Sequence, residues 1–405
     1  MKNSICELLL PLTTRASGSL IGSLVAVTAS FLYTQEQAGV FFFYLSTLQT
    51  LSLICRFGAD HSLVSSNKKS ENIASSDYLI LGITISICLS IAGLIVNSGF
   101  SSSDIWFSIF IGLPFFTTQT IICFMMLRDR MLNWHIFYRN IFWQLVVFIF
   151  LIYGKRNGLG IDQVALFSII LSSLFCILAN RNYIKIKFKN LTYRCIKTAG
   201  VSIGYLPTLL ASTLLINSPI ILSGLTISLE ETAIIGLGIK LSAFQTMISG
   251  VIMLNITKHV RKKKTLDIRL LLNQSLIISL IVNLLFSVVI FSLGNTIIKF
   301  LFSDVSQNRH IVFGIILLAF TARSTSSIIE HTLSIVFSPK FALLTQVSSL
   351  LPFLFILYFS PGISLLGFVL AFCFANLLGL FLGLYLTNKF IPCGLFNLSN
   401  NEKVS

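Results

Sequence analysis

Charge is scarce in this 405-residue chain. Only 11% of its residues are Asp, Glu, Lys or Arg, while 55% are hydrophobic and the mean hydropathy is +0.89. A polar surface large enough for a soluble protein of this size cannot be assembled from that composition, so a soluble globular domain is excluded. Carboxylates are the scarcest charges, with 14 Asp and Glu against 29 Lys and Arg and a net charge of +15. In a soluble chain such an excess would point to nucleic acid. Here the Lys and Arg collect in a few loops between apolar runs, the pattern that sets orientation in a membrane, and no nucleic-acid partner is expected. Cysteine is sparse and scattered: the eight residues stand singly, five of them (Cys55, Cys88, Cys123, Cys176, Cys373) inside apolar runs. No CxxC or Cys/His ligand spacing occurs, which argues against a disulfide framework or metal site, and no cofactor is expected.

Apolar runs of span length are abundant. A membrane-crossing helix needs about 20 apolar residues, and twelve stretches qualify: 7–32, 39–55, 78–96, 105–126, 134–153, 164–179, 200–226, 233–254, 270–293, 311–337, 341–359 and 363–386. Backbone groups cannot stay unpaired in lipid, and runs of Phe, Ile and Leu this long lack the alternation of barrel strands. The expected fold is an all-α polytopic membrane protein. Val27-Thr28-Ala29 resembles a signal-peptidase site, but Arg15 and several small residues interrupt the run before it, so 7–32 is read as an uncleaved helix.

Loop charge predicts the topology. With the N-terminus in the cytoplasm, the inside receives Arg56, Lys68, Lys69, Arg128, Arg130, the basic 181–197 segment and the 261–264 cluster. The outside receives only Lys155, Arg156, Lys299 and Arg309. Both termini are therefore expected in the cytoplasm. The chain also repeats itself. Leu45-Ser46-Thr47-Leu48-Gln49-Thr50 is answered by Leu241-Ser242-Ala243-Phe244-Gln245-Thr246, and basic clusters follow both. This implies two six-helix halves, 1–190 and 191–405, as parallel repeats with a cavity between them.

Four cations lie inside the expected spans: Arg15, Arg139, Lys240 and Arg323. A charge at the bilayer centre costs roughly 2.5 to 3.5 kcal/mol on insertion scales, so each must snorkel, be paired or line a polar path. Arg15 lies deep in its span, with Gly18, Ser19, Gly22 and Ser23 forming a small polar face one turn on; it is read as cavity-facing, the alternative being a structural pair or a close helix contact. Arg323, Ser327, Glu330 and Ser334 recur at helical spacing as one polar stripe, which faces protein or water. Arg323 is read as a cavity cation, the alternative being a buried pair with Glu330, two turns away and not an ideal same-helix partner. Lys240 is within snorkelling reach of its span end, so cavity and interface readings stay open. Arg139, beside Trp134, His135 and Tyr138, fits an interfacial belt better than a cavity. Glu330 and His331 form an adjacent titratable pair that could relay protons, although a satisfied structural carboxylate is the simpler reading. Asp60, following Gly58, is read as a turn or cap residue.

The stretch from Phe31 to Phe41, running through the second span to Arg56-Phe57-Gly58-Ala59-Asp60-His61-Ser62-Leu63-Val64, resembles the opening of polysaccharide-export proteins of the multidrug/oligosaccharidyl-lipid/polysaccharide (MOP) superfamily. In that pattern a short exterior loop ending in a glycine leads into a helix that closes on a Gly-x-Asp-like interior turn. The chain is similar above all to the Wzx-type O-antigen flippases. The resemblance implies a MATE-like fold of two six-helix bundles around a cationic lumen. It further implies movement of an undecaprenyl-diphosphate-linked oligosaccharide across the bacterial inner membrane for O-antigen or other surface polysaccharide, with Arg15, Arg323 and Lys240 holding the diphosphate. A polysaccharide polymerase and a chain-length regulator are possible partners beside the lipid bilayer. Drug-exporting relatives usually carry an acidic residue deep in the first helix, where this chain has Arg15, and lipid II flippases generally carry two extra helices. Paired carboxylates, GxSxG, P-loop and HExxH patterns are absent. The chain is thus read as non-enzymatic, with two rivals: an integral-membrane polysaccharide polymerase or ligase, which would use an exterior loop such as 294–310 with Arg309 and His310, and a drug/cation antiporter of the same superfamily.

Overall fold

The computed structural model describes residues 2–64, 73–98, 104–128, 134–135, 137–181, 184, 191–260, 265–302, 309–336 and 339–390; the basic stretches at Lys68/Lys69, 185–190 and 261–264 lie outside the described residues. The described chain is helical, with no strand among these residues. Among the described residues eleven helices are long and apolar enough to cross a membrane, and the first helix, α1 (Lys2–Leu32), adds a twelfth apolar helix. The all-α polytopic fold expected from the apolar runs is thus the fold observed.

By internal packing the chain divides into Met1–Leu237 and Gly238–Ser405. The first unit comprises α1, α2 (Gln35–Arg56), the short α3 (Ala59–Val64), α4 (Ser75–Ser98), α5 (Asp104–Arg128), a π-helical turn (Phe137–Phe142) continuing into α6 (Trp143–Arg156), α7 (Ile161–Ala179), α8 (Leu191–Ser202) and, after a 3-10 turn, α9 (Leu206–Thr226). Helix α10 (Leu229–Leu241) carries the boundary, and the second unit continues with α11 (Ala243–Val260), α12 (Thr265–Leu301), α13 (Arg309–Val336), α14 (Pro339–Phe359) and α15 (Leu365–Phe390). The sequence boundary at 190/191 follows the basic loop and the repeat. The packing boundary falls later because α9 lies along α2, and α10 begins against the start of α2, where a Cβ on Gly39 would stand 1.7 Å from the Leu229 carbonyl oxygen.

Helix α2 is the inner helix of the first unit. It packs against α4, α5, α7 and α9, and 78% of its most apolar stretch is buried. Its start is fixed by a capping box: the Thr34 hydroxyl accepts from the Gln37 amide and the Gln37 side chain accepts from the Thr34 amide, each at 3.3 Å. Its end is a left-handed turn with Phe57 at φ 52° and Gly58 at φ 81°. In the second unit α13 plays the same part, 78% buried over its apolar stretch and packed on α11, α12, α14 and α15. The outer helices differ. On α12 the stripe Leu270, Ile277, Ile281, Leu285 and Val288 is exposed, an apolar face suited to a lipid environment.

Candidate functional site

The first unit holds a half-open cavity of about 330 Å³ walled by α2, α5, α9 and the π-helical turn with the start of α6. Helix α2 contributes Gln49 and Arg56, seven residues apart and therefore on one face. Helix α5 contributes Phe116, Gln119, Thr120 and Cys123; the π-turn and α6 contribute Arg139, Asn140, Trp143 and Gln144; α9 contributes Thr213, Ile216 and Asn217. Among the described residues the wall is thus made chiefly of two guanidinium groups, five carboxamides, hydroxyls and two aromatic rings, with no carboxylate lining it.

Arg56 is buried, and its position is held from two sides. Its Nε donates to the Ser52 carbonyl at 3.2 Å and its terminal nitrogen pairs with Asp60 Oδ2 at 2.7 Å. Asp60, expected to cap the turn, is held there as the i+4 partner of Arg56. Arg139 is exposed toward the cavity and its guanidinium carbon stands 4.7 Å from the centroid of the Phe124 ring. Among the described residues the counts are two cations and one carboxylate, so this end of the cavity is net positive.

The π-turn explains how Arg139 comes to be there. An extra residue in the turn rotates Arg139 and Asn140 off the regular helical register, and such insertions are frequent at functional sites. Helix α1 backs the same wall: a Cβ on Gly18 would lie 2.7 Å from Asn140 Cβ, and one on Gly22 would lie 3.2 Å from Gln144 Nε2. The small face of α1 is therefore a close helix contact behind the cavity. The rest of the wall is held by hydrogen bonds. Ser172 and Ser173 on α7 donate to Gln119 Oε1 at 3.1 and 3.0 Å, and Asn217 Nδ2 donates to Thr50 Oγ1 at 3.2 Å. Trp143 meets Phe116 edge-on at 5.9 Å. Gln144 Oε1 is buried with no donor among the described residues, an arrangement that costs about 1–3 kcal/mol when nothing fills it.

The cations read from the sequence do not share one environment. Arg15 lies on α1 three residues before Gly18, with its side chain outside the described residues. Arg139 lines the cavity, so the interfacial-belt preference gives way to a cavity position; Trp134 stays exposed and stacks on Tyr138, whereas His135 is buried with Nδ1 2.6 Å from the Cys123 carbonyl oxygen. Lys240 occupies the last turn of α10, half-buried. Arg323, in the second unit, forms a two-pronged pair with Glu330, the second contact at 3.1 Å. Glu330 also accepts from Ser326 Oγ and Gln346 Nε2, each at 3.1 Å. The two-turn spacing that made this pair look poor puts both residues on one face about 10.5 Å apart along the axis, a span two long side chains close. His331 follows, half-buried. Arg56 is the cavity residue that loop-charge counting passed over; its spacing from Gln49 was the available signal. Among the described residues no three His, Cys, Asp or Glu side chains group to hold a metal ion.

No family model matches the chain, and no curated protein matches it. Solved structures do. The lipid II flippase MurJ in an inward closed conformation superposes with TM-score 0.67 at 14% identity, over 94% of this chain and 87% of that one. An inward-facing multidrug resistance MATE family transporter of the MOP superfamily gives TM-score 0.66 at 11% identity, over 94% and 98%. A MOP superfamily transporter from Pyrococcus furiosus, described by the reverse polarity of its binding pocket, gives 0.53 at 14%, over 96% of each chain. At these identities the likeness shows the fold alone, one that this chain shares with these transporters.

Proposed function

We propose that this chain is a Wzx-type flippase of the MOP superfamily that carries an undecaprenyl-diphosphate-linked oligosaccharide across the bacterial inner membrane. The observation that carries the reading is the net-positive cavity bearing Arg56 and Arg139 within a membrane fold similar to that of a lipid II flippase. A diphosphate cannot cross about 30 Å of hydrocarbon uncompensated. A guanidinium meets phosphate oxygens with matched donor geometry. The prenyl chain stays in the bilayer while the polar group passes through protein. Two six-helix halves with both termini in the cytoplasm, rocking to expose the site to each side in turn, complete the proposal.

A drug or cation antiporter is the second reading, favoured by the MATE-type neighbour of nearly equal similarity. The charge of the cavity opposes it, since among the described residues no carboxylate lines the wall to meet a cation. The deciding experiment deletes the gene in its host and follows lipid-linked repeat units. A flippase loss leaves complete units on the inner leaflet; single unpolymerised units on the cell surface would mark a polymerase instead, and unaltered polysaccharide with raised drug sensitivity would mark an antiporter.

A further inference from the structure

The cavity is graded along its length. Arg56 lies in the last turn of α2 and Gln49 about 10.5 Å further in at 1.5 Å per residue. Cys123, close to the end of α5, and Phe116 are separated by the same rise, so Phe116 stands deep with Gln49. Arg139 precedes Trp143 and Gln144 by four and five residues, and Thr213 precedes Asn217 by four as α9 runs inward. Both guanidinium groups therefore stand at the end where α2 and α5 terminate. Gln49, Gln144 and Asn217 stand at the deeper end beside the Phe116 and Trp143 rings.

We infer that the cavity reads its ligand in two parts: the diphosphate at the Arg56 and Arg139 end, and the hydroxyls of the first sugar at the Gln49, Gln144 and Asn217 end. This rests on the function proposed above and deepens it. A guanidinium only donates and suits phosphate oxygens; a carboxamide donates and accepts, and so matches a hydroxyl, which does both. The rings of Phe116 and Trp143 give the sugar's carbon skeleton an apolar surface between those polar contacts. Gln144 lines this end of the cavity, with its Oε1 closed off from the cavity surface, so a sugar hydroxyl meets the rest of its carboxamide. In this arrangement the saccharide enters first and the phosphates stay at the mouth. The carboxamides then act as specificity-determining residues, and the arginines set affinity common to every lipid-linked diphosphate.

The test uses the full-length protein in lipid nanodiscs and two probes, a short-chain prenyl diphosphate and the same lipid carrying one hexose, with binding followed calorimetrically. Wild type should bind the glycosylated lipid about tenfold more tightly, the scale of one or two hydrogen bonds. Gln49→Leu and Gln144→Leu should remove most of that preference while leaving the bare diphosphate within about twofold. Arg139→Gln should weaken both probes alike. The two glutamines lie on different helices, so misfolding of one variant leaves the other informative, with thermal melting as the control. Equal weakening of both probes by the glutamine variants, or a preference that survives them, overturns the subsite. Equal wild-type affinity for both probes also overturns it and leaves the flippase reading standing; binding of neither probe removes both.

Discussion

Arg323 and Glu330 clasp each other across two turns of α13 inside the second unit, 3% and 4% exposed, with Gln346 of α14 completing the carboxylate's contacts. The pair closes a charge circuit within the protein, so Arg323 has the geometry of an internal counter-ion. Removing one partner leaves a buried charge uncompensated, at a cost of about 3–5 kcal/mol, whereas removing both with apolar replacements is often close to neutral.

Arg323→Ala should therefore lower the amount of protein in the membrane, and Arg323→Leu with Glu330→Leu should restore most of it. Quantitative immunoblotting of membranes together with export complementation separates the alternatives. If the single variant kept normal protein and lost export, Arg323 would belong to the transport path.

The end of α2 supports a second prediction. Gly58 and Gly158 both take positive φ, 81° and 67°, but only Gly58 is crowded: a Cβ there would stand 2.3 Å from the Ser202 carbonyl oxygen, while nothing lies within 4 Å of one on Gly158. Gly158→Ala should cost only the left-handed penalty of about 1–2 kcal/mol. Gly58→Ala adds a backbone clash and should depress the melting temperature further, and it should loosen the Arg56–Asp60 turn beside the cavity. Equal melting temperatures for the two variants would show that the α2 end gives way freely.

The repeat shows what the sequence could and could not convey. Span count and helical class were legible because apolar runs act locally. The roles of Gln49 and Gln245 were not. Matching positions in the repeat place Gln49 in continuous α2 facing the cavity, whereas Gln245 follows a break at Ser242 and is fully buried. Its Nε2 reaches the Ser287 hydroxyl at 2.8 Å and the Thr321 hydroxyl at 3.0 Å. Which helix stands opposite a polar residue is decided by tertiary packing, and a hexapeptide carries no trace of it. Arg56 was likewise counted as loop charge because its burial depends on the Phe57–Gly58 turn folding Asp60 back onto it. The position of Arg139 depends on a π-turn that no residue in Phe137–Phe142 announces.

That difference between the glutamines can be measured. Gln245→Leu leaves the Ser287 and Thr321 hydroxyls one partner short in a dry interior and should destabilise by about 1–3 kcal/mol. Gln49→Leu replaces a cavity-facing carboxamide and should leave the melting temperature within error. Comparable losses from both would mean that the Gln49 side chain is structural.

The two cavity arginines should fail in different ways. Arg56 is buried beside Asp60, so Arg56→Ala strands a buried carboxylate and should reduce protein level and export together. The double change Arg56→Ala, Asp60→Ala should recover the protein but leave export impaired, because the cation is still missing. Arg139 is exposed to the cavity and, among the described residues, is anchored through the Phe124 ring, a contact worth about 0.5–1 kcal/mol. Arg139→Ala should thus keep normal protein levels while abolishing export, and Arg139→Lys should retain part of it, since the charge survives and the forked donor geometry does not. Surface polysaccharide measured alongside membrane protein gives the answer. Wild-type export by Arg139→Ala at equal protein would remove Arg139 from the site and, with it, the net positive charge on which the flippase proposal rests, because Arg56 is balanced by Asp60.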